Sequence, residues 1–299
     1  MVEHNLQDTY LLSAHMLGSK QSLPITIDQY LELLHSRDIL YDISSFEEKF
    51  FAICEHFREL EEFVFRTTFS SLLYFRMSAP DIHSTKAEFG RLTAALLSAV
   101  RLYLDSVCSH AKALSNGGLD KATIKVVSAK EYDSSFCYRV MEAIRNHAQH
   151  QAFPVHSVAF GRKWDEGHET LNYSVDFYFD VKQVNDNKFK SVTKSEIEDS
   201  GEKVDLKSCV RSYFFSVCNM HDEYRRLFKV YQQNAEANLR HWQDVWLKQF
   251  PDGKLIGIAA CRFKGEFPNN DAEKALYSNS LTSHGWSSAS SVRADLGLR

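Results

Sequence analysis

The sequence predicts a mainly α protein: an antiparallel helical bundle with a small β-hairpin or three-stranded sheet inserted in it. Three observations lead there. Apolar residues recur in steps of three and four over the spans beginning at Phe46, Phe89 and Leu206. Capping or breaking residues bound each of these spans. Only after Pro154 does the apolar period drop to two, and residues 254–263 read as one more strand.

The helices follow in order. Thr26 to Gln29 fits a capping box just past Pro24, and Tyr30, Leu31, Leu33 and Leu34 continue as a short helix. Ser44 and Ser45 ahead of Glu47 and Glu48 repeat the start signal. Phe46, Phe50, Ile53, Phe57, Leu60 and Val64 then form one stripe on a long helix, which Ser78, Ala79, Pro80 and Asp81 stop. A third box, Thr85 to Glu88, precedes the stripe Phe89, Leu92, Leu96, Ala99, Tyr103 and Val107, and Asn116-Gly117-Gly118 ends it. Two long helices on a short link are expected to pack antiparallel. Residues 119–133 read equally as helix or loop.

The β elements come next. Val155, Ser157 and Ala159, then Leu171, Tyr173, Val175, Phe177, Phe179 and Val181, alternate on either side of Asp165-Glu166-Gly167, which predicts a hairpin. Residues 185–204 are polar and charged and read as a loop. A helix from Asp205 to Gln249 carries Leu206, Val210, Tyr213, Val217, His221, Tyr224, Phe228 and Tyr231, and Pro251-Asp252-Gly253 breaks it. The expected organisation is a helical core over residues 1–154 completed by the helix at 205–250. A hairpin and charged loop occupy 155–204, a strand 254–263, and a flexible tail 264–299. Seven serines fall between Ser278 and Ser291, with little there to bury.

Composition narrows the function classes. With 44% hydrophobic and 25% charged residues, 299 residues can bury a real core. A formal charge of -4 argues against coating nucleic acid by bulk attraction and leaves a local cleft open. The N-terminal MVEHNLQDTY lacks a secretory pattern, and no apolar run approaches the roughly 20 residues of a membrane span, so a cytoplasmic protein with no membrane partner is expected. Six cysteines, at 54, 108, 137, 209, 218 and 261, form no Cys-x-x-Cys pair and read as reduced core thiols.

One stretch carries chemistry. Over Ser134 to Phe153, Phe136, Val140, Met141, Ile144 and Ala148 recur at helical spacing, with Arg139, Glu142, Arg145, Asn146 and Gln149 opposite. Arg145, Asn146, His147 and His150 gather a cation for phosphate, an amide and a group titrating near neutrality. His147 and His150 form His-x-x-His, but no third ligand stands at a recognised spacing, so neither a metal nor a cofactor is expected. Two other Arg-to-His spacings of this kind, Arg76 to His83 and Arg162 to His168, are interrupted by Pro80 and by the turn at Gly167.

Arg145-Asn146 followed by His150, with four residues between Arg and His, resembles the motif of the HEPN superfamily of helical proteins. The likeness covers about residues 44–153, with support from the helix after Asp205. Some members paired with a nucleotidyltransferase antitoxin carry Tyr two residues after the His; Ala152 stands there. The resemblance implies a homodimer whose two motifs face one composite cleft for RNA. It implies a metal-independent endoribonuclease, a toxin or antiviral defence effector held in check by an antitoxin or regulatory protein. Arg145, Asn146 and His150 are then the expected catalytic residues, and His147, Arg139 and Gln149 the expected substrate-binding ones. The alternative is a catalytically silent helical module that binds nucleotide, RNA or a protein partner through the same cleft.

Overall fold

The computed structural model describes residues 8–14, 21–74, 78–116, 118–148, 155–165, 167, 169–180, 182, 191–199, 201, 203–253, 255 and 257–263. These form six helices and two three-stranded antiparallel sheets, so the chain is mainly α with small sheet insertions. In chain order they are β1 (Thr9–Ala14), β2 (Ser22–Pro24), α1 (Ile27–Leu73), α2 (Ala79–Ser115), α3 (Lys121–Ser134), α4 (Phe136–Ala148), β3 (Ser157–Trp164), β4 (Leu171–Asp180), α5 (Ser191–Asp199), β5 (Lys203–Asp205), α6 (Leu206–Gln249) and β6 (Ile258–Phe263). The expected tail, 264–299, lies outside the described residues.

The chain divides into two compact units. Of the described residues, one takes those up to Ser45, those within His110–Gly118 and those from Arg225 to Phe263; the other takes those within Phe46–Ser109 and Leu119–Tyr224.

In the first unit β1 is the central strand, in the order β2-β1-β6, with Leu12 opposite both Leu23 and Ala260. The sequence reading missed β1 and β2, because six and three residues of mixed polarity give too short a stretch for alternation to show. Leu12, Tyr30, Leu33, Trp242, Trp246 and Ile258 close the core of this unit. The Thr26 capping box is present: the Thr26 N–H donates to Gln29 Oε1 at 2.8 Å, and the Gln29 N–H to Thr26 Oγ1 at 3.2 Å. Asn238 Nδ2 donates to Ser36 Oγ at 2.8 Å, and Trp242 and Trp246 pack in the same core as Tyr30 and Leu33, so α1 and α6 run antiparallel here. After Pro251 the chain turns tightly at Gly253, where a Cβ would stand 2.8 Å from the Phe250 carbonyl oxygen and 3.1 Å from Trp246 Nε1.

In the second unit α1 runs antiparallel to α2 and α6. Phe46 meets Tyr103, while Arg66 lies close enough to Glu88 to act on its charge. Phe50 stacks on His221 at 3.7 Å, Phe57 on Phe214 at 4.0 Å, and Arg211 forks onto Glu61. Val175, Phe177 and Phe179, alternate residues of β4, are fully buried, and Phe177 stacks on Phe89 at 3.9 Å. That fixes the β3-β4-β5 sheet against the helices through one face. Asp165 closes the hairpin, accepting from the Glu169 N–H and the Thr170 hydroxyl.

Four boundaries differ from expectation. The helix at Tyr30 and the one at Phe46 are a single α1, since Ile39, Leu40 and Ile43 carry the buried stripe through Ser44 and Ser45. Helix α2 starts at Ala79 rather than Thr85: the Ser78 N–H and hydroxyl both donate to Asp81, and Pro80 sits in the first turn where its missing donor costs nothing. Residues 119–133 are helical as α3, whose cap Asp120 accepts from the Thr123 N–H at 2.7 Å. The expected loop at 185–204 contains α5 and β5. Ile197 is buried in α5 between charged neighbours, a short stretch that gives little period to read.

Among the described residues α2 alone is long and apolar enough, by length and composition, to cross a membrane. Its Phe89, Leu92, Leu96, Val100, Tyr103 and Val107 are buried inside the protein.

Candidate functional site

Helix α4 begins at Phe136 with Ser135 Oγ accepting from the Tyr138 N–H, and buries Tyr138, Val140, Met141, Ile144 and His147. On its other flank Glu142 and Arg145, one turn apart, form an ion pair at 3.3 Å with side chains only 17% and 12% exposed. This is not a surface pair. Glu142 also accepts the Tyr213 hydroxyl at 2.9 Å, and Arg145 Nη2 donates to Asn146 Oδ1 at 2.8 Å. Burial first, then the charge of Glu142, hold the Tyr213 phenol well above its ordinary pKa, so it stays a donor. Arg145 Nε and Nη1 are buried and make no hydrogen bond among the described residues. A guanidinium with two idle donors at this depth is costly unless something else uses them.

Asn146 is exposed on α4 and steadies Arg145. Gln149 and His150 lie outside the described residues, as do Ala152 and Pro154.

Comparisons of the chain with family models, with curated proteins and with solved structures gave no match.

Two of the expected substrate-binding residues are placed otherwise. His147 is buried, at 6% exposure, because it follows Val140 and Ile144 along the packed face. Arg139 is spent on architecture. Its Nε and Nη2 fork onto both carboxylate oxygens of Glu196 at 3.0 and 2.7 Å, and its Nη1 donates to the Tyr132 and Asp133 carbonyls. It ties α3 and α5 to α4 with four of its five N–H donors. Tyr213 was missed as a site neighbour, since a tyrosine within an apolar stripe carries only its hydroxyl as a signal.

Beside α4, a cavity of about 610 Å³ is lined by Tyr132, Tyr138, Tyr224, Lys121, Lys125 and Glu142 among others. Glu142 therefore touches both this cavity and the motif arginine.

His156 lies just past the motif. Its Nδ1 accepts from the Asp180 N–H at 2.9 Å, and Lys86 Nζ donates to its carbonyl at 2.7 Å. Burial first, and then the charges of Lys86 and His147, push its pKa down against the opposing pull of Asp180. The unfolded chain, titrating at about 6.5, therefore takes up this proton before the folded one does. The contribution is complete above about pH 6.5 and is lost as pH falls through that value towards the folded pKa. Urea midpoints measured between about pH 7.5 and pH 5 should fall in the wild type and fall less in His156→Asn, which retains an acceptor. Equal slopes would remove His156 from the pH dependence.

Proposed function

We propose that this chain is a metal-independent endoribonuclease of HEPN type that works as a homodimer on RNA. The observation that carries the reading is the Arg145 guanidinium, held by Glu142 and Asn146 with two donor nitrogens unclaimed among the described residues. A phosphodiester supplies the oxygens those donors lack.

In this reading the ribose 2'-hydroxyl attacks the adjacent phosphorus as His150 takes its proton. The P–O bond to the 5'-oxygen breaks, that oxygen is protonated, and a 2',3'-cyclic phosphate remains. Arg145 binds the phosphate and stabilises the charge that grows on its non-bridging oxygens. Asn146 keeps the guanidinium plane in place. Acid-base catalysis of this kind contributes about 10² to 10⁴ in rate. Since the nucleophile is part of the substrate, the step needs no activated water and no metal.

A second reading, a helical module that binds RNA, nucleotide or a protein partner without cutting, is favoured by the low exposure of Arg145. One experiment separates the two. Purified protein is incubated with a structured RNA in EDTA, the ends are analysed for 2',3'-cyclic phosphate, and the protein mass is measured in solution. Cyclic ends made by a dimer support the nuclease. RNA retained uncut by well-folded protein supports the binding module and ends the nuclease reading.

A further inference from the structure

We propose that Cys137 and Cys209 form an oxidisable dithiol, at which a hydroperoxide converts two thiols into one disulfide and fastens the start of α4 to the start of α6. The two sulfurs lie 2.9 Å apart although 72 positions separate them in the chain, and the Cys209 S–H donates to the Cys137 sulfur. They need to close by less than about 1 Å to reach the ~2.05 Å of an S–S bond.

The two thiols are not equivalent. Cys137 is partly exposed and Cys209 is buried, so a small oxidant reaches Cys137 first. Cys137 is the second residue of α4, and the start of a helix favours a thiolate. The hydrogen bond from Cys209, helped by one from Ser212, brings Cys137 down to about 7 against burial and the charge of Asp205; Cys209 is pushed up. Cys54, by contrast, is pushed up to about 12 by burial. Cys137 is thus the attacking sulfur and Cys209 the resolving one.

The Cys137 thiolate attacks the peroxide oxygen: an S–O bond forms, the O–O bond breaks, and hydroxide leaves and takes a proton. The Cys209 sulfur then attacks the sulfenic acid, the S–S bond forms, and the S–O oxygen departs as water. Two thiols are oxidised by two electrons, and one hydrogen peroxide becomes two waters.

The test uses the full reduced chain and equimolar hydrogen peroxide. The expected result is a mass loss of about 2 Da, for two hydrogens, reversed by dithiothreitol, with the Cys137 and Cys209 peptides linked. In Cys209→Ser, dimedone should trap a sulfenic acid at Cys137; in Cys137→Ser, peroxide consumption should slow at least about tenfold. A parallel measurement needs no variant: in brief iodoacetamide treatment of the wild type, Cys137 should react at least about tenfold faster than Cys54 or Cys218. No disulfide, a disulfide between other cysteines, or alkylation no faster at Cys137 would overturn the assignment. None of these readouts depends on RNA cleavage.

Discussion

Replacing Arg145 with Met should lower RNA cleavage by about 10² to 10³-fold, the usual cost of removing one donor to a developing oxyanion, while the protein stays folded. The second half of that expectation follows from the cost of the native arrangement. The side chain is 12% exposed and leaves Nε and Nη1 buried and unpaired among the described residues. A methionine of similar length fills the volume with no donor to satisfy. Glu142 then loses its ion-pair partner and keeps the Tyr213 hydroxyl. Combining Arg145→Met with Glu142→Gln removes that leftover charge, and the pair should be neutral or more stable than wild type by ~1–4 kcal/mol. Cleavage in EDTA and urea midpoints on the same samples check both halves. A double variant that still cuts at the wild-type rate refutes the role given to Arg145; one that unfolds marks Arg145 as structural.

Trp246→Ala should be the most damaging single change in the first unit, at about 3–5 kcal/mol, the range for truncating a buried large aromatic. Trp246 is fully buried among Leu12, Ile25, Tyr30, Leu33 and Ile258, and its ring lies 4.6 Å from that of Phe250. Its indole Nε1 is buried with no hydrogen-bond partner among the described residues, so Trp246→Phe, which keeps an aromatic ring and discards that donor, should cost far less. Chemical denaturation followed by far-UV circular dichroism measures the difference. Equal losses for Ala and Phe would mean that the ring's filling of this core is not what matters.

The helical frame was legible because its stripes are long. The apolar set from Phe46 to Val64 and the one from Phe89 to Val107 each repeat often enough to fix a face, and those residues are buried except that Val100 takes the inward place expected of Ala99. Reading Ser44-Ser45 and Thr85 as helix starts failed for different reasons: the first pair lies inside an unbroken buried stripe whose packing outweighs a capping pattern, whereas α2 is already capped at Ser78 by Asp81, one turn and more ahead of Thr85. The strand at Thr9 has one of its partners, β6, at the other end of the chain, and the strand at Ser22 has only three residues, too few to alternate, so neither could be read. Within the candidate site, the Arg145–Asn146 grouping and the nearness of Glu142 were visible from helical spacing alone. Commitment of Arg139 to Glu196 was not, because the carboxylate sits in a short helix with almost no apolar signal.

The pairing of β1 with β6 bears on how the molecule is made. Asp8 and Arg262, which form an ion pair at one end of this ladder, are 254 positions apart. During translation β1 can pair with nearby β2, but its other edge waits for β6, whereas the hairpin β3-β4 can zip as soon as it appears. Loop-closure entropy delays the distant ladder further. The nascent chain thus carries the β6-facing edge of Leu11–Leu12 unpaired until β6 has been made, an edge open to mispairing in that interval.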